Sequence, residues 1–232
     1  IVTNSFEAIL ELVRTINKAC DSYPIVKACV AGIHLEGPFI SCEPGAKGAH
    51  PEEFTRKPSV AFLDQVQGIS VKPISLITLA PELEGSEEFI RTCKERGIKV
   101  SIGHSLATGD QIQKAKDAGV TLATHLGNGV PLNLQRHPNI IWELMSQEGI
   151  TASLIADGFH LPPSFLKVAF RAKGDECLLV SDATCFAGME PGEYESPIGG
   201  KVVLEESGRL SMKGANGLLA GAGKDLLENI NY

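Results

Sequence analysis

The chain has 232 residues, 43% of them hydrophobic, and a formal net charge of −7. That length buries one substantial core without demanding a second, and an acidic balance with no basic run or aromatic-basic stripe excludes a nucleic-acid surface. No apolar run reaches the roughly 18 residues of a membrane span and no basic-then-apolar leader opens the chain, so a soluble protein acting on small molecules is expected.

The first residues carry no initiator Met, which predicts that the start is not the native one. Phe6, Ile9, Leu10, Leu12, Val13 and Ile16 then recur at helical spacing behind Asn4 or Ser5 as N-cap. Residues 26–35 are dense in apolar and β-branched types and predict a buried parallel strand that delivers Glu36 to a loop. From Gly37 to Pro58 the chain is rich in proline and glycine, the composition of a long functional loop. Strand-then-helix units follow, with strands predicted at 74–79, 99–103, 121–124 and 151–156 and helices at 87–96 and 110–118. A last short strand, 177–180, leads into Asp182. Beyond it, residues 188–200 break the rhythm, 201–204 and 209–212 predict a hairpin, and 218–230 a final helix.

Each of these six strands ends in a polar residue fit for chemistry: Glu36, Glu82, His104, His125, Asp157 with nearby His160, and Asp182. Apart from the long loop, the intervals between them match one strand plus one helix. This rhythm predicts an α/β fold of the (β/α)8 TIM-type, a metallo-hydrolase barrel counted as lacking its first two strands, with a small β excursion after the last one. The region 1–190 is read as the barrel, 191–215 as the hairpin excursion and 216–232 as the closing helix. In such a barrel the strand ends gather in one ring, so distant residues converge on one reacting atom.

Alone, a strand-end Glu is as readily half of an ion pair, and a strand-end His a satisfied structural residue. Two histidines at successive strand ends, with Glu36 available, instead match the three protein ligands of a catalytic zinc site. Asp182 is either a helix N-cap or a carboxylate that takes a proton from water and returns it to a leaving amine. His160 has the chemistry to donate to a developing oxyanion, whereas Asp157 and Glu82 read as support. His34 shares a strand face with Glu36 and reads as a hydrogen-bonded core histidine. Lys47, His50, Arg136 and His137 are loop cations, ordinarily solvated; at the rim of a catalytic face they suit a phosphate, with Asn128 and Gly129 offering backbone N–H groups. Six cysteines without C-x-x-C spacing read as free thiols of a reducing cytoplasm.

Taken together, Gly32-Ile33-His34-Leu35-Glu36-Gly37-Pro38-Phe39, Thr78-Leu79-Ala80-Pro81-Glu82, Gly103-His104-Ser105, Ala123-Thr124-His125-Leu126 and Asp182-Ala183 resemble the N-acetylglucosamine-6-phosphate deacetylase family of the amidohydrolase superfamily. The resemblance implies that Glu36, His104 and His125 hold a divalent metal, that Asp182 is the acid/base, and that His160 contacts the substrate carbonyl. It further implies that His50, Asn128, Gly129 and Arg136 hold a sugar phosphate, and that the protein is a homodimer. A zinc ion, or iron(II), suits the Glu-His-His set better than calcium or magnesium; one metal or two is left open, because the superfamily's first-strand H-x-H segment is not in this chain. Gly129 stands where the family commonly has Ala, and Gly223 where Ser is usual. The expected activity is hydrolysis of the acetamide of N-acetylglucosamine 6-phosphate. The alternatives are another amidohydrolase acting on an N-acyl amino acid or a cyclic amide, and a non-catalytic fragment of such an enzyme.

Overall fold

The computed structural model describes all residues, 1–232. It has the α/β architecture with six parallel strands, β1 (Ile33–Glu36), β2 (Ile74–Leu79), β3 (Lys99–Ile102), β4 (Leu122–Ala123), β5 (Thr151–Leu154) and β6 (Cys177–Leu179), hydrogen-bonded in chain order. Consecutive order with parallel neighbours requires a crossover after each strand. Between β1 and β6 these are α3 (Val60–Ile69), α4 (Ser86–Glu95), α5 (Gly109–Ala118), α6 (Ile140–Ser146) and α7 (Pro163–Lys173), preceded by α1 (Phe6–Ser22) and α2 (Pro24–Cys29). No helix is long and apolar enough to cross a membrane.

Local chemistry sets the helix ends. The Ser5 hydroxyl accepts from the Ala8 N–H to start α1, whose Ile9, Val13 and Cys20 face inward. Thr108 and Gln111 close a capping box at the start of α5, and Gly119, at φ +136°, ends it. The inward faces of these helices and Leu35, Ile77, Leu79, Ile102 and Leu154 of the strands form the main apolar core.

The sheet is strongly curved. In a flat sheet β2 and β4, separated by β3, would lie about 9.5 Å apart, beyond the reach of two threonine side chains. Yet the Thr78 and Thr124 hydroxyls are 2.7 Å apart, Thr124 donates to Ser101 at 2.6 Å, and Thr78 is hydrogen-bonded to His34 Nε2 at 2.7 Å. This chain of polar groups fills the concave side. Burial pushes the His34 imidazole down to about 4, so the ring is neutral there.

Several elements differ from the sequence reading. The strand predicted at 26–35 is a short helix followed by a strand, because Pro24 sits at the first helical position, where its missing N–H costs nothing. Val2 forms a parallel bridge to Glu36, so residues 1–3 lie along the β1 edge where no strand was counted. The hairpin is a three-stranded antiparallel sheet, β7 (Gly192–Glu195), β8 (Lys201–Leu204) and β9 (Leu210–Met212), over its own apolar cluster of Phe186, Val202, Leu204, Leu210 and Ala220. The final helix, α8 (Leu226–Asn231), starts later than the predicted 218, because Leu219 and Ala222 are taken up in bridges to Ser211 and Ala183.

Candidate metal centre

At the C-terminal edge of the curved sheet, β1, β3 and β4 deliver Glu36, His104 and His125 to one point. Glu36 Oε1 lies 2.9 Å from Nε2 of each histidine, and the two Nε2 atoms are 3.1 Å apart. All three residues are buried. His104 Nδ1 donates to the Ala46 carbonyl at 2.8 Å, which leaves its Nε2 lone pair facing the centre, the tautomer a metal-binding imidazole needs. A carboxylate oxygen and two imidazole nitrogens converging in a buried site fit a zinc or ferrous ion.

Backbone conformation aims these side chains. His104, His125 and Asp182 have φ of 51°, 30° and 52°, in the left-handed region that non-glycine residues avoid at a cost of about 1–3 kcal/mol each. Each lies just past its strand, where the turn swings the side chain over the sheet's end. Of the four non-glycine residues with positive φ, only Asn216 lies elsewhere.

Electrostatics follows from the crowding. Burial opposes ionisation of Glu36, but its contacts with the His104 and His125 rings outweigh it and hold the carboxyl well below the usual range. Burial likewise opposes the His125 cation, yet the Glu36 contact raises that imidazole to about 9. Asp182 is pushed the other way, to about 6, by burial and then by the Glu36 charge. A carboxyl at the end of β6 that senses one at the end of β1 is a further mark of the sheet's curvature.

The remaining residues singled out in the sequence fall into distinct places. Glu82 accepts from the Ser105 hydroxyl and the Leu106 N–H, both at 2.7 Å, and so ties down the turn after His104. Asp157 binds His160. Asn128 Nδ2 donates to the His125 carbonyl at 3.3 Å, and Gly129 is packed so closely that an added Cβ would lie 2.9 Å from His104 Nδ1. His50 is no solvated loop cation: it is buried, its ring meets the His104 ring edge-on at 4.3 Å, and its Nε2 is 3.9 Å from Glu36 Oε1. Burial and the neighbouring His104 push it down to about 3, and its Nδ1 has no partner. Arg136 and His137 are exposed in the loop before α6 and are not drawn into the centre. The hydroxyl chain of Thr78, Ser101 and Thr124 was missed in the sequence; polar residues inside otherwise apolar strands were its signal.

A parallel α/β sheet with a carboxylate, two imidazoles and a raised aspartate at its strand ends has the form of a metal-dependent amidohydrolase. The relatives of this chain are of that kind. It is 37% identical over 199 residues to an N-acetylglucosamine-6-phosphate deacetylase of Lysinibacillus sphaericus, covering 84% of this chain and 49% of the relative. It is 35% identical over 189 residues to an N-acetylgalactosamine-6-phosphate deacetylase of Escherichia coli O157:H7, covering 79% and 50%. Among solved structures, an N-acetyl-D-glucosamine-6-phosphate deacetylase variant from Mycobacterium smegmatis, in complex with N-acetyl-D-glucosamine-6-phosphate, superposes with a TM-score of 0.85 at 27% identity, covering 99% of this chain and 58% of that one. No family model matches the chain. The chain spans about half the length of the curated relatives it matches, and over that half it is related to the N-acetylglucosamine-6-phosphate deacetylases.

Proposed function

We propose that the chain carries the catalytic centre of a metal-dependent deacetylase that hydrolyses the acetamide of N-acetylglucosamine 6-phosphate to glucosamine 6-phosphate and acetate. The observation that carries this reading is the convergence of Glu36, His104 and His125, with Asp182 close enough to sense the Glu36 charge. When bound by these three residues, a zinc or ferrous ion supplies Lewis-acid polarisation of the acyl carbonyl and lowers the pKa of a water. Asp182 takes the proton of the attacking water and returns it to the departing nitrogen, a double role suited to a carboxyl raised to about 6. His160 donates to the acyl oxygen as negative charge grows on it. The phosphate is met by the loops carrying His50, Asn128, Gly129 and Arg136, with Arg136 the only cation of that set outside the buried centre.

On the same reading the six-stranded curved sheet of 1–190 belongs to a barrel of the eight-stranded TIM type, counted as lacking its first two strands, with 191–215 an excursion from it and 216–232 its closing segment. The protein works as a homodimer in the cytoplasm, where its six free cysteines remain thiols. Elemental analysis coupled to a free-amine assay tests the reading. The expected result is bound zinc or iron and release of amine from N-acetylglucosamine 6-phosphate in preference to unphosphorylated N-acetylglucosamine. The galactosamine relative makes N-acetylgalactosamine 6-phosphate the necessary competing substrate. Metal-loaded protein that released amine from none of these compounds would overturn the proposal.

A further inference from the structure

The turn after β5 contains an arrangement that support of a loop does not require. Asp157 Oδ1 accepts from the backbone N–H groups of Phe159 at 2.8 Å and His160 at 2.9 Å. These two bonds close the turn across Gly158 and are a common use of a turn aspartate. Oδ2 is then free, and it takes the ring Nδ1–H of His160 at 2.6 Å. The two side chains are 2% and 7% exposed, so this bond is shielded from water. The position of the carboxylate is set from its backbone as well, because Lys224 Nζ donates to the Asp157 carbonyl at 3.0 Å while lying 4.6 Å over the Phe159 ring. Burial raises the Asp157 carboxyl, but its bonds from His160 outweigh that and hold it below its ordinary value.

We propose that Asp157 is the positioning residue for His160: it fixes the ring's orientation and keeps a proton on Nδ1, so that Nε2 is the atom presented to the substrate. The inference rests on the reading in which His160 meets the acyl oxygen. A neutral imidazole protonated at Nδ1 offers only a lone pair at Nε2. For Nε2 to donate to the acyl oxygen it must also carry a proton, taken from solvent before the substrate binds, and the Asp157 carboxylate at Nδ1 then pairs with the cation so formed. No other side chain hydrogen-bonds to the His160 ring.

Asp157→Asn separates this role from that of a turn former. The amide oxygen can replace Oδ1 at the two backbone N–H groups, while the amide NH2 faces Nδ1 and requires a lone pair there, which moves the ring proton to Nε2. Nitrogen-15 NMR of histidine-labelled protein, with the His160 signals assigned by their loss in His160→Gln, reads the tautomer directly. The expected result is Nδ1–H in the native chain and Nε2–H in the variant. On N-acetylglucosamine 6-phosphate, kcat should fall about 10- to 100-fold, the range for loss of an orienting partner, with KM little changed. A native ring protonated at Nε2 alone, or a variant that keeps both Nδ1–H and full kcat, would overturn the proposal. The tautomer of the native chain is informative even if the variant folds poorly. Absence of turnover in native protein would sink the deacetylase reading, whereas the NMR result would still decide whether Asp157 sets the ring.

Discussion

The two sheets of this molecule handle charge in opposite ways. At the C-terminal edge of the parallel sheet, Glu36, His104, His125 and Asp157 are all buried, and three residues there hold left-handed backbone that favours glycine. On the antiparallel sheet the charges face water: Lys213 reaches both Glu193 carboxylate oxygens, at 2.6 and 2.7 Å, from half-exposed positions. Beneath them lies an apolar cluster with no ionisable member. Buried charge is costly unless satisfied, so the first region concentrates its strain at the candidate metal centre.

Substitutions at the two regions should therefore differ in kind. Glu36→Gln removes the charge shared by two imidazoles and should abolish metal binding, which elemental analysis checks. Breaking a buried ionic cluster of this sort should also cost on the order of 3–5 kcal/mol of stability in denaturant titration. Retention of bound metal by this variant would remove the contrast between the two sheets.

Next in size, Asp182→Asn should keep its metal and lose about 10²- to 10⁴-fold in kcat, the range for a general acid/base. It should also change how stability depends on pH. Because burial and then Glu36 raise this carboxyl from 3.8 to about 6, the folded chain binds its proton more tightly than the unfolded chain. The stability this lends is present below the unfolded value, and it is lost as pH rises through about 6. In chelator-treated protein, Asp182→Asn should accordingly melt higher than the native chain above pH 6, with the difference closing toward pH 4. Parallel thermal melts across that range would show it, and a constant difference would count against the raised carboxyl.

Core truncation sharpens the comparison further. Leu79→Ala, in the main core, should cost about 2–5 kcal/mol and reduce activity, since β2 leads into the turn that carries Glu82. Val202→Ala, fully buried in the small sheet, should lower the melting temperature measurably yet leave metal content and kcat intact. Smallest of all, Lys213→Ala breaks an exposed pair and should leave both melting temperature and kcat unchanged. A large effect on turnover from either small-sheet variant would mean that the two regions are coupled.

What the sequence discloses divides along the same line. The strand ends were legible because a buried parallel strand is an apolar run, and a polar residue closing it stands out. Strand β7 was hidden, since Gly192, Glu193 and Glu195 have low strand propensity and only Tyr194 packs inward. Residues 26–29 were misread as strand because the apolar and β-branched content of 26–35 outweighed the Pro24 start signal. The late start of α8 depended on bridges to residues distant in the chain. His50 looked like a rim cation because nothing in a loop's composition tells that it folds back onto His104. The left-handed turns at His104, His125 and Asp182 left no local trace either; they follow from where the curved sheet needs the side chains to point.

Those left-handed turns also bear on how the centre can be dissected or redesigned. At positive φ a β-branched residue is strained and alanine is disfavoured, whereas Gly, Asn and Asp are accommodated. An alanine at His104 or His125 therefore removes a ligand and perturbs the strand's exit at once, confounding two losses in one measurement. Asparagine or glycine isolates the chemical one. The same filter narrows the side chains through which these positions can drift while the chain still folds, so their identity is restricted by the backbone before any substrate is bound.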